Sequence, residues 1–205
     1  MEPNKTLFSV IKSDTDKLKK IIYYILTMLG NRIYIDKNGD KQQLLNPEEA
    51  SKKIDDHGDG TFTVKANNGD IFAIKIVFQK ISATGKQSVV SEFFKDYAQY
   101  KKIIVARDFN NKIADYVTRQ HTQIFRESTL LENNIDYRDQ PKFELLSPTE
   151  MEKFKAEYNA TDYTTKKMTR SDPVAKYYAL RKGDIIRIIR PSPTSGESID
   201  YRVVM

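Results

Sequence analysis

Apolar residues recur at helical spacing in the first long segment of the chain. Between Thr15 and Leu29 they fall at intervals that place them on one side of a helix. Ser13 or Asp14 is positioned to cap the start of this segment, and Gly30 stands where a helix would end. The pattern predicts an amphipathic helix whose core-facing residues are Leu18, Ile21, Ile22, Ile25, Leu26 and Leu29.

Strand and helix patterns alternate along the following hundred residues. Arg32 to Asp36 is predicted to be a strand that enters the turn KNGD, and a short helix is predicted from Pro47. The runs TFTVKA and IFAIKIVF, joined by the turn residues 67–70, predict a β-hairpin. There follow a helix from Ser88 to Tyr100, the strand KIIVA, a helix from Asn111 to Arg119 and the apolar segment TQIFR. This order predicts an α/β N-terminal domain whose later strands form a parallel or mixed sheet.

A domain boundary is predicted in the run ENNIDYRDQP, from Glu132 to Pro141, which is rich in turn-forming residues and has no apolar periodicity. We expect an N-terminal domain of residues 1–135, a linker of residues 136–141 and a C-terminal domain of residues 142–205. The two parts are then a larger α/β module and a smaller α+β module.

The predicted C-terminal domain begins with the strand KFELL, and the helix after it starts with Ser147, Pro148 and Glu150 in the spacing of a capping box. A second helix is predicted from Asp172 and Pro173 to a point before Gly183. The strands DIIRIIR and IDYRVV, separated by the loop PSPTSGES, complete a small α+β domain with a mixed sheet.

The charge of the chain is concentrated in one segment. The chain has 34 Lys and Arg residues against 28 Asp and Glu residues, a net charge of 34 − 28 = +6. Between Thr164 and Arg190 lie eight basic and two acidic residues, and 8 − 2 = +6 accounts for the whole excess. Such a segment attracts nucleic acid or an acidic protein surface, or forms a solvated face of mixed charge. Tyr177 and Tyr178 beside it could stack on bases, although helical spacing favours burial of at least one of them.

Composition excludes several classes of chemistry. The chain has no cysteine, which excludes disulfides, thiolate nucleophiles and Cys-containing zinc sites and suits a reducing compartment. Its apolar stretch IIYYILTML is far shorter than the roughly 20 residues of a membrane-spanning helix. We therefore expect a soluble intracellular protein that has no membrane partner.

The templates for metal and phosphate sites fit poorly. The run DDHGDG resembles the start of a calcium loop, but Ala66 occupies the position of the closing carboxylate. His57 and His121 are the only histidines and lack zinc-site spacing, and no glycine-rich phosphate loop is present. A nuclease would need a second carboxylate near Asp70, where Ala73 stands. We expect no catalytic residue, metal site or cofactor in this chain.

The end of the chain is specific enough to indicate a family. From Arg170 to Val204 it reads RSDPVAKYYALRKGDIIRIIRPSPTSGESIDYRVV, and FELLSPTEMEKFKAEY precedes it within the segment from Lys142 to Tyr158. These segments resemble the C-terminal domain shared by the fifth subunit of eukaryotic nuclear RNA polymerases and its shorter counterpart in archaeal RNA polymerase. The helix and strand between Ser88 and Val105 more weakly resemble the eukaryotic N-terminal domain.

The resemblance implies a non-catalytic subunit of a multisubunit DNA-directed RNA polymerase, acting in transcription. Its C-terminal assembly domain would dock on the largest subunit, and its N-terminal domain would form part of the lower jaw near downstream double-stranded DNA. The rest of the polymerase core and transcription factors are the further partners it implies. The expected assembly interface consists of Arg170, Asp172, Pro173, Tyr177, Arg181, Arg190, Thr194, Gly196, Tyr201 and Arg202.

The chain departs from the family pattern in three places. Ala179 stands where relatives usually carry glycine, and the stretch TTKKM lacks a proline that usually precedes this segment. After KIIVA the eukaryotic subunits have a Thr-Pro-Ser-Ala-like loop that is implied to approach DNA, whereas this chain reads RDFNNK. DNA contact is therefore a hypothesis, and its candidate residues are Arg107, Asn110, Asn111 and Lys112.

The resemblance also indicates where the chain originates, and the basic segment leaves a second function open. An N-terminal domain is present, unlike in the archaeal protein, but it has diverged far from the cellular eukaryotic form. This combination predicts a homologue encoded by a large DNA virus, located in the host cytoplasm and the virion, or in the nucleus if the chain is cellular. The alternative is a free-standing basic nucleic-acid-binding protein that uses the basic segment directly.

Overall fold

Three β-sheets and seven α-helices make up the part of the chain that the structure, a computed structural model, describes: residues 13–82, 88–132, 140–161 and 163–205. Residues 136–139 of the predicted linker lie outside the described residues. Within the described ranges, no helix is both long enough and apolar enough to cross a membrane.

The first helix, α1 (Asp14–Gly30), has the predicted apolar face. Ser13 caps it by accepting a hydrogen bond from the Asp16 N–H at 3.1 Å. The predicted core positions Ile21, Ile25, Leu26 and Leu29 are buried, as is Met28. Gly30 ends the helix where the chain approaches α2 (Pro47–Lys52) so closely that a Cβ would lie 2.5 Å from the Pro47 ring. The antiparallel strands β1 (Ile33–Ile35) and β2 (Lys41–Gln43) lie between the two helices.

A five-stranded sheet forms the centre of the N-terminal part, and its order is β3-β4-β5-β6-β7. The strands β3, β4 and β5 pair antiparallel, which confirms the predicted hairpin, whereas β5, β6 and β7 pair parallel. The expected mixed sheet is therefore present. The strand bounds are β3 (Asp55–Asp56), β4 (Thr61–Lys65), β5 (Ile71–Ile81), β6 (Lys101–Phe109) and β7 (Thr122–Arg126).

Helices cover both faces of this sheet. On one face, α1 and α5 (Glu127–Leu131) pack against alternate strand residues such as Ile103 and Val105. On the other face, α3 (Val89–Asp96) and α4 (Asn111–Arg119) pack against Ile104 and Ala106. The alternation of neighbouring β6 residues between the two cores is the two-residue period of a strand that is buried on both sides.

The prediction that the third helix reaches Tyr100 is wrong, because α3 ends at Asp96. The Lys102 ammonium donates hydrogen bonds to the carbonyl oxygens of Tyr97, Ala98 and Tyr100 at 3.0 to 3.4 Å. The rings of Tyr97 and Tyr100 lie 5.8 Å apart in the packed cluster beneath. The Lys102 ammonium thus satisfies carbonyl groups that follow the end of α3.

The C-terminal part has the predicted mixed sheet; it contains four strands in the order β8-β10-β11-β9, and the strand at residues 166–168 was not predicted. Its strands are β8 (Lys142–Leu145), β9 (Lys166–Met168), β10 (Ile185–Ser192) and β11 (Gly196–Val204), and only β9 and β11 pair parallel among those described. The helix α6 (Pro148–Glu157) packs on one face and α7 (Pro173–Tyr177) on the other. Ser147 and Glu150 form the predicted capping box.

The last helix, α7, ends before Gly183 as predicted, and its final residue is Tyr177. The Leu180 N–H donates to the Ala175 carbonyl at 2.9 Å, and the Ala179 N–H donates to the Lys176 carbonyl at 3.2 Å. These two bonds, with Ala179 at φ +53°, are the Schellman motif that terminates helices. Ala179 therefore occupies the left-handed position of a helix end, which favours glycine.

Candidate assembly interface

Arg32 connects the N-terminal part of the chain to the end of α7. Its side chain is buried, with 4% of its surface exposed. The Nε atom donates to the Tyr177 carbonyl oxygen at 2.7 Å, and Nη2 donates to the Lys176 carbonyl oxygen at 3.2 Å. Both carbonyls lie in the last turn of α7, the end of a helix that favours positive charge. Burial lowers the pKa of Arg32 to about 10, so the guanidinium stays protonated at neutral pH.

Further contacts join the same two parts of the chain. The Asn31 amide donates to the Tyr177 hydroxyl at 2.9 Å, and the Gln123 amide donates to the Lys176 carbonyl at 3.3 Å. Lys41 of β2 forms an ion pair with Glu150 of α6. Sequence reasoning placed Arg32 only at the start of a strand. The only local feature that distinguishes Arg32 is its position, because it is a charged residue between the end of a helix and an apolar strand.

Tyr177, which is expected at the assembly interface, is largely buried within the chain itself. Its side chain is 8% exposed and belongs to the core that surrounds α1, because the end of α7 packs against the N-terminal part. Tyr178 is partly buried and packs against Phe143, with ring centroids 6.1 Å apart. The prediction that at least one of these tyrosines is buried is confirmed.

The basic segment presents most of its cations to solvent. Two of its eight cations have carboxylate partners: Lys166 pairs with Asp200 at 2.9 Å, and the Arg187 Nε donates to Glu144 at 2.9 Å. Hydrogen bonds from Lys142 and Arg187 hold the pKa of Glu144 below its usual value. The other six are exposed and have no carboxylate of the described residues within salt-bridge distance; we call them the exposed basic set, Lys167, Arg170, Lys176, Arg181, Lys182 and Arg190.

Three members of the exposed basic set line a cleft between the two parts of the chain. One wall of the cleft contains Lys176 of α7 and its flanking residues Arg170 and Arg181. The opposite wall is formed by α4 and β7. The cleft has a volume of about 490 Å³. Of the other residues expected here, Asp172 caps α7 by accepting a hydrogen bond from the Val174 N–H at 2.8 Å, and Pro173 is its first residue. These two residues fix the start of the helix that carries Lys176 and lies between Arg170 and Arg181.

A projecting hairpin carries the second group of expected interface residues. β8 pairs with β10 only as far as Ile189, and β9 pairs only with residues 202–204 of β11, so the described sheet has no further strand beside the hairpin end. Arg190, Thr194 and Gly196 lie in this exposed end. The Thr194 hydroxyl lies 3.3 Å from the Ser192 hydroxyl, and Gly196 has φ +76°, a backbone conformation that favours glycine.

Tyr201 and Arg202 lie at the base of the hairpin, away from its end. The Tyr201 ring packs on Phe154 of α6 with centroids 4.3 Å apart. The Arg202 Nε lies 3.7 Å from an Asp200 carboxylate oxygen and is buried without a hydrogen-bond partner among the described atoms. The structure thus divides the expected interface into an α7 group, a hairpin group and these two residues.

The four DNA-contact candidates lie near the end of β6 but on different faces of the sheet. Arg107 is on the α1 and α5 face, where its guanidinium lies 3.8 Å from carboxylate oxygens of Asp14 and Glu127. Asn111 and Lys112 are exposed in the first turn of α4 on the opposite face. Asn110 caps that helix by accepting the Ile113 N–H at 2.9 Å. The structure brings Asn111 and Lys112 together and separates Arg107 from them.

The residues considered for metal or nuclease chemistry, His57 and Asp70, have structural partners, and so does the buried Lys75 of β5. The Lys75 ammonium donates to the Asp59 carbonyl at 2.7 Å and to the Thr61 hydroxyl at 3.0 Å, and burial lowers the pKa of Lys75. Asp70 pairs with Lys101 instead. His57 lies 2.8 Å from the Thr63 hydroxyl. Within the described ranges, no three His, Asp or Glu side chains are grouped so that they could hold a metal ion.

Comparisons with known proteins agree with the resemblance. Residues 132–204 match the family model "RNA polymerase Rpb5, C-terminal domain". The chain is 55% identical to DNA-directed RNA polymerase subunit 5 of Acanthamoeba polyphaga mimivirus over 205 residues, which is 100% of both chains. It is 24% identical to DNA-directed RNA polymerases I, II, and III subunit RPABC1 of Caenorhabditis elegans, over 94% of this chain and 97% of that one.

An archaeal relative matches about a third of the chain. DNA-directed RNA polymerase subunit Rpo5 of Methanocaldococcus jannaschii is 38% identical over 65 residues, which is 32% of this chain and 83% of the archaeal protein. The predicted kinship with eukaryotic, archaeal and large-virus subunits is therefore confirmed. The chain belongs to the family of fifth subunits of multisubunit DNA-directed RNA polymerases.

Proposed function

We propose that this protein is a non-catalytic subunit of a multisubunit DNA-directed RNA polymerase and acts in transcription. The proposal rests on the match to the mimivirus DNA-directed RNA polymerase subunit 5, which is 55% identical over the full length of both chains. In this proposal the chain provides a binding surface, while nucleotide addition belongs to the other subunits. By the same relationship we propose that it resides in the host cytoplasm and the virion.

The C-terminal part docks on the largest polymerase subunit through α7 and the hairpin end. The exposed basic set supports this assignment, because cations that have no carboxylate partner among the described residues complement an acidic surface on another chain. The fixed geometry of α7, which its cap and Arg32 hold at both ends, presents Arg170 and Arg181 in a defined arrangement.

Charge reversal tests the docking surface. Arg170→Glu combined with Arg181→Glu should weaken binding to the purified largest subunit by about tenfold or more, because both cations would become repulsive. The matched control is Lys19→Glu with Lys20→Glu on the exposed side of α1, which changes the net charge equally. Equal affinities of the two double variants would contradict docking through α7.

The N-terminal part forms a portion of the lower jaw near entering DNA. Arg107 and Lys112 support this placement because both are exposed cations near the end of β6, within reach of a phosphate backbone that passes this edge. Their positions on opposite faces of the sheet make separate substitutions informative.

Crosslinking of downstream DNA in the assembled polymerase tests the jaw assignment. Arg107→Gln and Lys112→Gln should each reduce crosslinking to this subunit if its face of the sheet meets DNA, and the double variant should reduce it most. Lys52→Gln on α2 is the control for the loss of one exposed charge. Unchanged crosslinking in the double variant would refute the DNA contact.

The alternative function is a free-standing nucleic-acid-binding protein, and the exposed basic set is the observation that favours it. Such a protein should bind duplex DNA alone, and the logarithm of its affinity should fall by about 0.9 per logarithmic unit of salt for each phosphate neutralised. Steep salt dependence together with no affinity for the largest subunit would favour this alternative.

A further inference from the structure

We propose that Arg32 is a positioning residue that fixes α7, and with it the exposed basic set, against the N-terminal sheet in a single orientation. This inference rests on the proposed docking function for its consequence, but its geometry stands independently. Arg32 lies 144 and 145 residues from the two carbonyl groups that it contacts. It therefore links two parts of the chain that have separate sheets.

The surroundings of Arg32 are unusual for a buried cation. The hydrogen bonds of its guanidinium go to two backbone carbonyls and, at 3.4 Å, to the Met28 sulfur. Among the described residues, no carboxylate lies within salt-bridge distance of it. A buried charge is tolerated when its donors are paired, and the planar guanidinium can reach both carbonyls only in a restricted geometry. The contact thus specifies where the end of α7 lies and how it is oriented.

Three neighbouring contacts leave α7 little freedom once Arg32 is in place. The Asn31 amide donates a hydrogen bond to the Tyr177 hydroxyl, and the Gln123 amide donates one to the Lys176 carbonyl. The Tyr177 ring lies in the core around α1. These contacts come from the end of α1 and from β7. All three converge on the last two residues of α7.

We call the contacts of Arg32, Asn31 and Gln123 with the end of α7 the joint. The joint keeps the cleft beside α7 in one geometry. Arg170, Lys176 and Arg181 face α4 and β7 across the cleft only while the end of α7 stays against the N-terminal part. Release of Arg32 would leave the cations on the protein but in many orientations. A binding surface present in its competent arrangement for about a tenth of the time loses about tenfold in affinity.

Spin-label distances test the joint directly. The chain has no cysteine, so Lys95→Cys on α3 and Lys153→Cys on α6 provide the only two labelling sites, both on exposed helix positions. The doubly labelled full chain should give one narrow distance distribution between its two parts. Adding Arg32→Met should broaden that distribution while the far-ultraviolet circular dichroism stays that of a folded protein. A distribution that stays narrow would overturn the proposal.

Two more variants keep the test decisive. If Arg32→Met does not fold, Arg32→Lys replaces it in the test. Lysine retains the charge but has a single nitrogen in place of the guanidinium, so this variant should also broaden the distance distribution. An unchanged distribution would overturn the proposal. Gln123→Ala removes another donor to the Lys176 carbonyl and should leave the distribution narrow. Equal broadening by Gln123→Ala would overturn the specific role of Arg32.

Binding to the largest subunit separates this inference from the proposed function. We expect Arg32→Met to lower that affinity about tenfold although every member of the exposed basic set is retained. Failure of the unsubstituted chain to bind, with broadening still caused by Arg32→Met, would refute docking and leave the joint standing. Full affinity in a variant whose distances have broadened would overturn the positioning role.

Discussion

Ala179 adopts a left-handed backbone conformation that residues with a Cβ rarely occupy. At φ +53° it is the residue after the C-cap of α7, and its Cβ costs about 1 kcal/mol there. Glycine relieves this strain but adds freedom to the unfolded chain, so Ala179→Gly should raise the free energy of unfolding by about 0.5 kcal/mol, measured by urea denaturation. Ala156→Gly at an exposed position inside α6 is the control and should lower it by about 1 kcal/mol. A loss of stability in Ala179→Gly would contradict the strain assigned here.

Single residues were predictable from the sequence where their partners are local. Ser147 and Glu150 are three positions apart, so the pattern alone identified their capping box. Arg32 has no local partner, and nothing near it in the chain indicates that it contacts α7. Burial of Tyr177 follows from the same long-range contact, so helical spacing predicted that at least one of the two tyrosines is buried but not which one.

The ion pair between β2 and α6 makes part of the stability dependent on pH. Burial alone would raise the pKa of Glu150, but hydrogen bonds from Lys41 and from the Ser147 backbone outweigh it and lower that pKa from 4.5 to about 2. A lowered folded-state pKa stabilises the fold above about pH 4.5, and this contribution disappears as the pH falls towards 2. Because the side chain is 39% exposed, solvent screening limits the contribution to about 1 kcal/mol.

Glu150→Gln tests this pH dependence, since glutamine keeps the capping geometry but does not titrate. The difference in unfolding free energy between the parent and Glu150→Gln should be largest above pH 4.5 and should shrink between pH 4.5 and 2, measured by urea denaturation at each pH. Glu152→Gln, an exposed position on the same helix, is the matched control. A difference that stays constant across this range would show that Glu150 does not stabilise the fold through its charge.

At the scale of elements, apolar periodicity predicted which segments form helices and strands but not where two helices end. The face of α1 and the hairpin of β4 and β5 followed from spacing within one segment. The ends of α3 and α7 depend on the Lys102 ammonium and on the turn at Ala179, which are tertiary and backbone effects. The order β8-β10-β11-β9 likewise depends on pairings between distant segments.

At the scale of the whole molecule, the structure shows where the excess positive charge of the chain lies on its surface. The excess of +6 lies between Thr164 and Arg190, and the structure leaves six cations of that segment exposed. Composition alone could not decide between DNA and protein as the partner of such a surface. The order of residues from Arg170 to Val204 identified the family, whereas the cleft beside α7 required the fold of both parts.

Co-purification with the polymerase tests the central claim most directly. A tagged form of the full chain, purified gently from the cells in which it is expressed with its polymerase, should recover the two largest polymerase subunits in equimolar amounts together with DNA-dependent RNA synthesis. The charge-reversed Arg170→Glu and Arg181→Glu variant should recover less of both. Recovery of the unsubstituted chain only as a free monomer, without those subunits, would contradict the account.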